Sequence, residues 1–266
     1  MPKKSKLTLE KINQVKNKLE PMENIKVLWI PISVGQDYHE LGKFVESINL
    51  IKKNLKNVTL INLVIVDLAQ KYHLAIKNNK SPEDMIYQAK INGVIWKQCY
   101  ENLIKTRFKN INVEFTTWDN WLIHDRYNQA RDCIENLYYD KENLFYQFIE
   151  KDVLEFERRY FNREGRQFNE LEKGFCRECI KEECAVLIIW HQAQVSPNSS
   201  CIFYPKKIPA SLSYIKQNFT DFLSISADFS SKLNWNKFLI FRSKRKSLDE
   251  NLINNCIVKK IRKTSC

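Results

Sequence analysis

Val27-Leu28-Trp29-Ile30-Pro31-Ile32-Ser33-Val34-Gly35-Gln36-Asp37-Tyr38-His39 decides how the rest of the chain is read. A continuous apolar run ends in a small hydroxyl residue, a glycine and a polar pair. The run is short, bounded and rich in branched residues, which fits a strand buried on both faces in a parallel sheet. A helix-like pattern follows from Glu40. Ser33 therefore falls at the carboxyl end of a strand, where open α/β sheets bind their ligands. A hydroxyl there can face a pocket while nearby backbone N–H groups steady an anion. Taken alone, a serine at this place most commonly caps the next helix.

Working outward, residues 26–32 form the first strand and 40–54 a helix. Residues 58–67 are a second apolar run that ends in the carboxylate of Asp67. Ser81-Pro82-Glu83-Asp84 is a helix start, with a cap, a proline in the first turn and acids at the positive end. The pattern predicts a long helix over 83–108 and a third strand over 112–117. Residues 126–161 read as helical, in two pieces broken near Asp140, with Leu144, Phe148, Leu154 and Phe161 toward the core. Residues 169–190 begin as helix, and periodicity leaves 185–190 open between its continuation and a strand. Residues 201–204 are extended and stopped by Pro205, 238–241 form a late strand, and 252–261 a further element. Strands alternating with helices predict a Rossmann-like three-layer α/β sandwich with a mainly parallel sheet. A polar helix or tail over residues 1–24 precedes a single domain over 25–266.

The chain has 266 residues, enough to bury a substantial core. Its formal net charge is +12, from 43 Lys plus Arg against 31 Asp plus Glu, which favours a polyanionic partner such as nucleic acid. Basic residues also cluster at both ends, at Lys3, Lys4 and Lys6 and at Lys259, Lys260, Arg262 and Lys263. No apolar leader follows Met1 and no apolar run is long enough to span a membrane, so a reducing cytoplasm with free thiols is expected for the eight cysteines. Cys176-Arg177-Glu178-Cys179, with Cys184 and His191, lacks the second matched pair of a zinc site, and no metal is expected. The phosphate-cradling and dinucleotide-binding glycine motifs are absent, as is the nucleophile elbow of α/β-hydrolases.

Three segments fit one arrangement: Ser33-Val34-Gly35-Gln36-Asp37-Tyr38, Glu182-Glu183-Cys184-Ala185, and Ser199-Ser200-Cys201-Ile202-Phe203-Tyr204-Pro205. Together they resemble the cyclodipeptide synthases. The likeness extends to Val64-Ile65-Val66-Asp67, to the helix at Ala89-Lys90, to Asn162-Arg163 and to the strand at 238–241. Tyr204-Pro205, with a residue other than asparagine at Gln36, is similar to the subgroup that carries Tyr-Pro. The resemblance implies a fold like the catalytic domain of class I aminoacyl-tRNA synthetases. It also implies two aminoacyl-tRNAs as substrates, a diketopiperazine as product, and neither ATP nor another cofactor.

By the same resemblance Ser33 is the nucleophile that takes the first aminoacyl group. Glu183 or Glu182 holds the amino acid's ammonium group and accepts its proton, and Tyr204 relays a proton during cyclisation. Gly35, Gln36, Cys179, Glu182 and Pro205 are the substrate-binding candidates. Cys179 stands, four residues before Glu183, where the family usually has a tyrosine. The basic residues Lys90, Lys97, Lys105, Arg107 and Lys109 are the tRNA-binding candidates, since spacings of seven to eight put several on one helical face. A monomer is expected. Two other readings stay open on the residues alone: a non-catalytic RNA-binding α/β module, and another RNA-directed transferase.

Overall fold

In the computed structural model, residues 25–36, 39, 41–54, 56–192, 200–204, 208–219, 223–227 and 238–241 are described. The expected helix near the amino terminus, both basic tails, Asp37, Pro205 and residues 252–261 lie outside them.

The apolar run at the head of the chain becomes β1 (Val27–Ser33), the centre of a six-stranded sheet. Helix α1 (Leu41–Asn54) leads to β2 (Leu60–Val66), and α2 (Gln70–Asn78) and a short 3-10 turn (Glu83–Met85) lead to α3 (Ile86–Arg107). β3 (Asn112–Thr117) is followed by four helices, α4 (Trp118–Leu122), α5 (Tyr127–Tyr139), α6 (Leu144–Glu164) and α7 (Glu170–Gln192). The chain then adds β4 (Ser200–Tyr204), α8 (Ala210–Phe219), β5 (Leu223–Ala227) and β6 (Phe238–Phe241). Residues 185–190 are thus the continuation of a helix.

The strand order is β3-β2-β1-β4-β5-β6, parallel except for β6, which runs antiparallel to β5. This is the doubly wound order, and its direction reverses between β1 and β4. The ladder from β1 to β2 continues to Ser33 opposite Val66, whereas that from β1 to β4 ends at Trp29 opposite Ile202. Pro31 has no N–H to offer a neighbour. The two central strands are consequently unpaired above Trp29, beside Ser33.

Side-chain alternation divides the core. Leu28, Ile30 and Ile32 face α1 and α3 through Phe44, Ile48, Trp96 and Tyr100. Trp29 packs on the other face, with α5, α6, α7 and α8. Four tryptophans gather there. Trp29 stacks on Trp190 at 5.6 Å, and Trp118 meets Trp190 edge-on at 6.1 Å, with Trp121 against both Trp29 and Trp190.

One expectation fails by a helical phase. Leu144, Leu154 and Phe161 are 57, 60 and 48 % exposed, and the buried face of α6 is Phe145, Ile149, Asp152 and Val153. Large apolar residues occupy both sides of α6, so two stripes of equal spacing compete and only packing against α7 and α8 selects one. At the other end of the register, Ser81 and Asp84 cap the turn before α3 reciprocally, as their sequence suggests.

Asp67 closes β2 and ties three elements together. Its Oδ1 accepts hydrogen bonds from the backbone N–H of Leu68 at 2.8 Å and of Trp118 at 3.1 Å, and burial holds its carboxyl above the usual range. Gly93 lets α3 come this close, because a Cβ at that position would stand 2.6 Å from Asp67 Cβ and 2.8 Å from Oδ2. Gly93→Ala is expected to lower stability by about 1–3 kcal/mol despite the gain in helix propensity, read as a fall in urea midpoint. An unchanged or raised midpoint would show that Asp67 yields without cost.

Candidate active site

At the carboxyl end of the strands a cleft opens between β1, α7 and α8, with about 540 Å³ of free space including the solvent at its mouth. Ser33 and Glu183 both line it, with Pro31, Val66, Trp118, Leu187, Trp190, Ile202, Ile208, Leu212 and Lys216. It lies where the strand order reverses, the place sheet topology reserves for a ligand. The serine at the tip of β1 and the second glutamate of α7 are far apart in sequence and share this one space.

The backbone around Ser33 is built to hold it. Gln36 N–H donates to Ser33 O at 3.2 Å, closing a turn in which Gly35 has φ +79. That left-handed conformation explains the glycine. Gln36 N–H is spent on this turn, which removes it from the amides open to an oxyanion. Ser33 N–H donates to His39 Nδ1 at 2.9 Å, which places the His39 ring proton on Nε2. The His39 backbone is held in turn by Trp96 Nε1–H, which donates to His39 O at 3.0 Å. His39 therefore grips the backbone of Ser33. Sequence spacing alone gave it no role.

The adjacent glutamates separate cleanly, because successive residues on a helix point about 100° apart. Glu182 turns inward and is fully engaged. Trp118 Nε1–H donates to its Oε1 at 2.7 Å, Tyr72 O–H donates to Oε2 at 3.2 Å, and Lys71 Nζ is 3.5 Å from Oε2. Glu183 turns to the cleft, and no described residue hydrogen-bonds its carboxyl. Its pKa is pushed up to about 7, first by burial and then by the negative charges of Glu182 and Asp152. A carboxyl poised there can take or give a proton near neutrality.

The remaining candidates are placed as follows. Cys179 is buried, with its thiol directed at Ala69 O at 3.7 Å, outside the cleft. A tyrosine does reach the glutamate pair, but it is Tyr72 of α2 and it binds Glu182. Tyr204 ends β4 next to β1, its side chain and Pro205 lying outside the described residues. Cys176, Cys179 and Cys184 are buried free thiols along α7. Burial pushes the Cys176 thiol up to about 12 and the other two well above their ordinary range, which leaves all three protonated. Among the described residues no three His, Cys, Asp or Glu side chains are placed to hold a metal ion.

Lys90, Lys97 and Lys105 fall within about 80° of one another on α3. Two of them hold carboxylates: Lys90 Nζ is 2.6 Å from Asp119, and Lys105 Nζ is 2.6 Å from Glu101. Lys97 lies over the Phe115 ring at 5.5 Å. Arg107 and Lys109 are exposed at the end of the helix. Sequence reading missed Lys216, Trp118, Trp190 and Tyr72, which come from four different helices; only Trp190, two turns after Glu183 on α7, shares a local spacing with a predicted site residue. No helix among the described residues is long and apolar enough to cross a membrane.

No protein-family model matches the chain, and no curated protein matches it by sequence. Solved structures do resemble it. A CDPS from Fluoribacter dumoffii aligns with a TM-score of 0.65 at 23% identity, over 74% of this chain and 84% of that one. A CDPS from Staphylococcus haemolyticus aligns with a TM-score of 0.55 at 11% identity, over 86% and 96%. A cyclodipeptide synthase from Candidatus Glomeribacter gigasporarum, solved bound to Phe-tRNAPhe, aligns with a TM-score of 0.54 at 16% identity, over 72% and 81%. At these identities the likeness is one of fold.

Proposed function

We propose that the chain is a tRNA-dependent cyclodipeptide synthase, similar to the Tyr-Pro subgroup, that joins two aminoacyl groups through an ester on Ser33. The observation that carries this reading is the meeting of Ser33 and Glu183 in one cleft at the point where strand order reverses. The likeness of fold to cyclodipeptide synthases supports it.

In the first step the Ser33 hydroxyl attacks the carbonyl of an aminoacyl-tRNA. The bond to the ribose oxygen of the tRNA breaks, and that oxygen leaves with the serine's proton. One ester replaces another, so no nucleotide is consumed. Glu183, as the carboxylate, receives the α-ammonium group of the bound residue and then its proton. The freed amine of the residue on Ser33 then attacks the ester carbonyl of the second aminoacyl-tRNA. The bond to that tRNA's ribose oxygen breaks, the oxygen leaves with a proton of the attacking amine, and a dipeptidyl ester remains on Ser33. The remaining free amine then closes on that ester, releasing the diketopiperazine and the Ser33 hydroxyl, with Tyr204 as the proton relay. Each ester-to-amide step is downhill, and the positioning of groups already activated supplies the rest.

The tRNA would lie along the basic face of α3, with Lys97, Arg107 and Lys109 meeting phosphates directly. Lys90 and Lys105 would exchange Asp119 and Glu101 for them. Such contacts are sequence-independent and weaken steeply with salt.

Cells expressing the soluble full-length chain should release diketopiperazines that are absent from cells carrying an empty vector, as read by mass spectrometry of the medium. A medium with no such masses overturns the reading, and retained tRNA binding would then identify a non-catalytic RNA-binding module.

A further inference from the structure

We propose that Lys216 reads the side chain of the aminoacyl group carried by Ser33 and selects side chains that end in a carboxylate or a carboxamide. This inference rests on the cyclodipeptide synthase reading and names its substrate class.

Lys216 is only 3 % exposed, yet it lines the cleft that Ser33 and Glu183 share. The other lining side chains are apolar, apart from the indole nitrogens of Trp118 and Trp190. The cleft has a direction. Trp190 lines it and also stacks on Trp29, four residues down β1 from Ser33 and so about 13 Å below it. From Glu183 to Trp190 is about 10 Å along α7. β4 and β5 are parallel, so the helix between them runs back toward the amino-terminal edge of the sheet. Lys216, one turn past Leu212 on that helix, therefore lies deeper than Leu212, toward the Trp190 end.

An aminoacyl ester on Ser33 has its reactive carbonyl at the mouth and its α-ammonium group at Glu183. Its side chain is left to run down the cleft. The first carbons meet Pro31, Val66, Leu187 and Ile202, and the far end meets the Lys216 region. The side chain of Lys216 ends in an ammonium group. It carries three N–H donors, so one can serve a substrate whatever else Lys216 binds.

The helix that carries Lys216 is firmly located. Asp152 of α6 accepts hydrogen bonds at its start from Ala210 N–H at 3.0 Å, Ser211 N–H at 2.8 Å and Ser211 O–H at 2.6 Å. A donor carried on a helix held this way, in the lining of an apolar slot, discriminates strongly. A side chain that offers an acceptor gains a charge-assisted hydrogen bond. A hydrocarbon tip covers the ammonium and gives nothing back, and a second cation is repelled.

The test is competition among a full set of aminoacyl-tRNAs, with products identified by mass for the wild type, Lys216→Met and Lys216→Arg. Wild-type products should contain Glu, Gln, Asp or Asn at one position. Lys216→Met should shift that position at least 10-fold toward Leu, Met or Phe, and Lys216→Arg should keep the wild-type preference. Wild-type diketopiperazines built only from hydrocarbon side chains overturn the inference and leave the proposed activity standing. An unchanged product distribution in Lys216→Met also overturns it. If the wild type makes no diketopiperazine, the activity itself fails and this inference with it. Should Lys216→Met not fold, the wild-type product set and Lys216→Arg still decide.

Discussion

Ser33→Ala is expected to abolish diketopiperazine formation, by more than about 10³-fold, with folding stability within about 0.5 kcal/mol of the wild type. The separation of the two effects follows from how the residue is held. Its backbone, not its hydroxyl, makes the structural contacts: Ser33 N–H donates to His39 Nδ1 and Ser33 O accepts from Gln36 N–H. Alanine keeps both. The strand pairing of Ser33 with Val66 is likewise a backbone matter. What is lost is the hydroxyl of a residue that lines the cleft together with Glu183. The decisive measurement is intact-protein mass after mixing with charged tRNA. The wild type should gain the mass of an aminoacyl group and the variant should not. An adduct of equal extent on Ser33→Ala would place the nucleophile elsewhere, and full product formation without any adduct on the wild type would replace covalent transfer with direct attack between two bound tRNAs.

The sheet was easier to read than the helices that fill the cleft, for a physical reason. β1, β2 and β6 are short apolar runs bounded by turn or polar residues, β3 alternates Val113 and Phe115 with polar residues, and each declares itself within its own window. β5 (Leu223-Ser224-Ile225-Ser226-Ala227) alternates with serine and is weaker in apolar content, so it went unnoticed. α2 and α8 are short, and α4 has five residues, too few for periodicity to register. In α6, Leu144 and Phe145, and again Val153 and Leu154, offer neighbouring apolar positions about 100° apart. Nothing local says which of each pair is buried. The site divides along the same line. Ser33 is marked by the strand that ends in it. The choice between Glu182 and Glu183 needed the rotation of α7 against Trp118 and Tyr72. Lys216 became visible only when α8 was docked by Asp152, because a lone lysine in an amphipathic segment reads as solvated.

Glu183→Gln carries the second large effect, and it acts in opposite directions on activity and on stability. In the fold the carboxyl titrates near pH 7, whereas in the unfolded chain it titrates near its ordinary value of 4.5. Between those values the unfolded chain has released the proton and the native protein still binds it. Stability therefore falls as pH rises through the window and levels off above about pH 7. A shift of this size corresponds to a penalty on the order of 1–3 kcal/mol at pH 8, carried by a group that burial and the charges of Glu182 and Asp152 oppose. Glutamine has the same shape and no charge to bury. The variant should thus exceed the wild type in stability by about that amount at pH 8 and converge with it near pH 5, as read from urea midpoints at the two pH values. Its product formation should fall by about 10²–10⁴-fold, because glutamine can accept a hydrogen bond from the substrate ammonium but cannot take its proton. Wild-type activity should rise with pH through about 7 as the carboxylate forms. Stability curves that stay parallel from pH 5 to 8 would mean that Glu183 does not titrate in this window, and an active Gln variant would hand the proton to another group. A residue kept at a cost to the fold, where a neutral isostere would be more stable, is the pattern expected of a group retained for its chemistry.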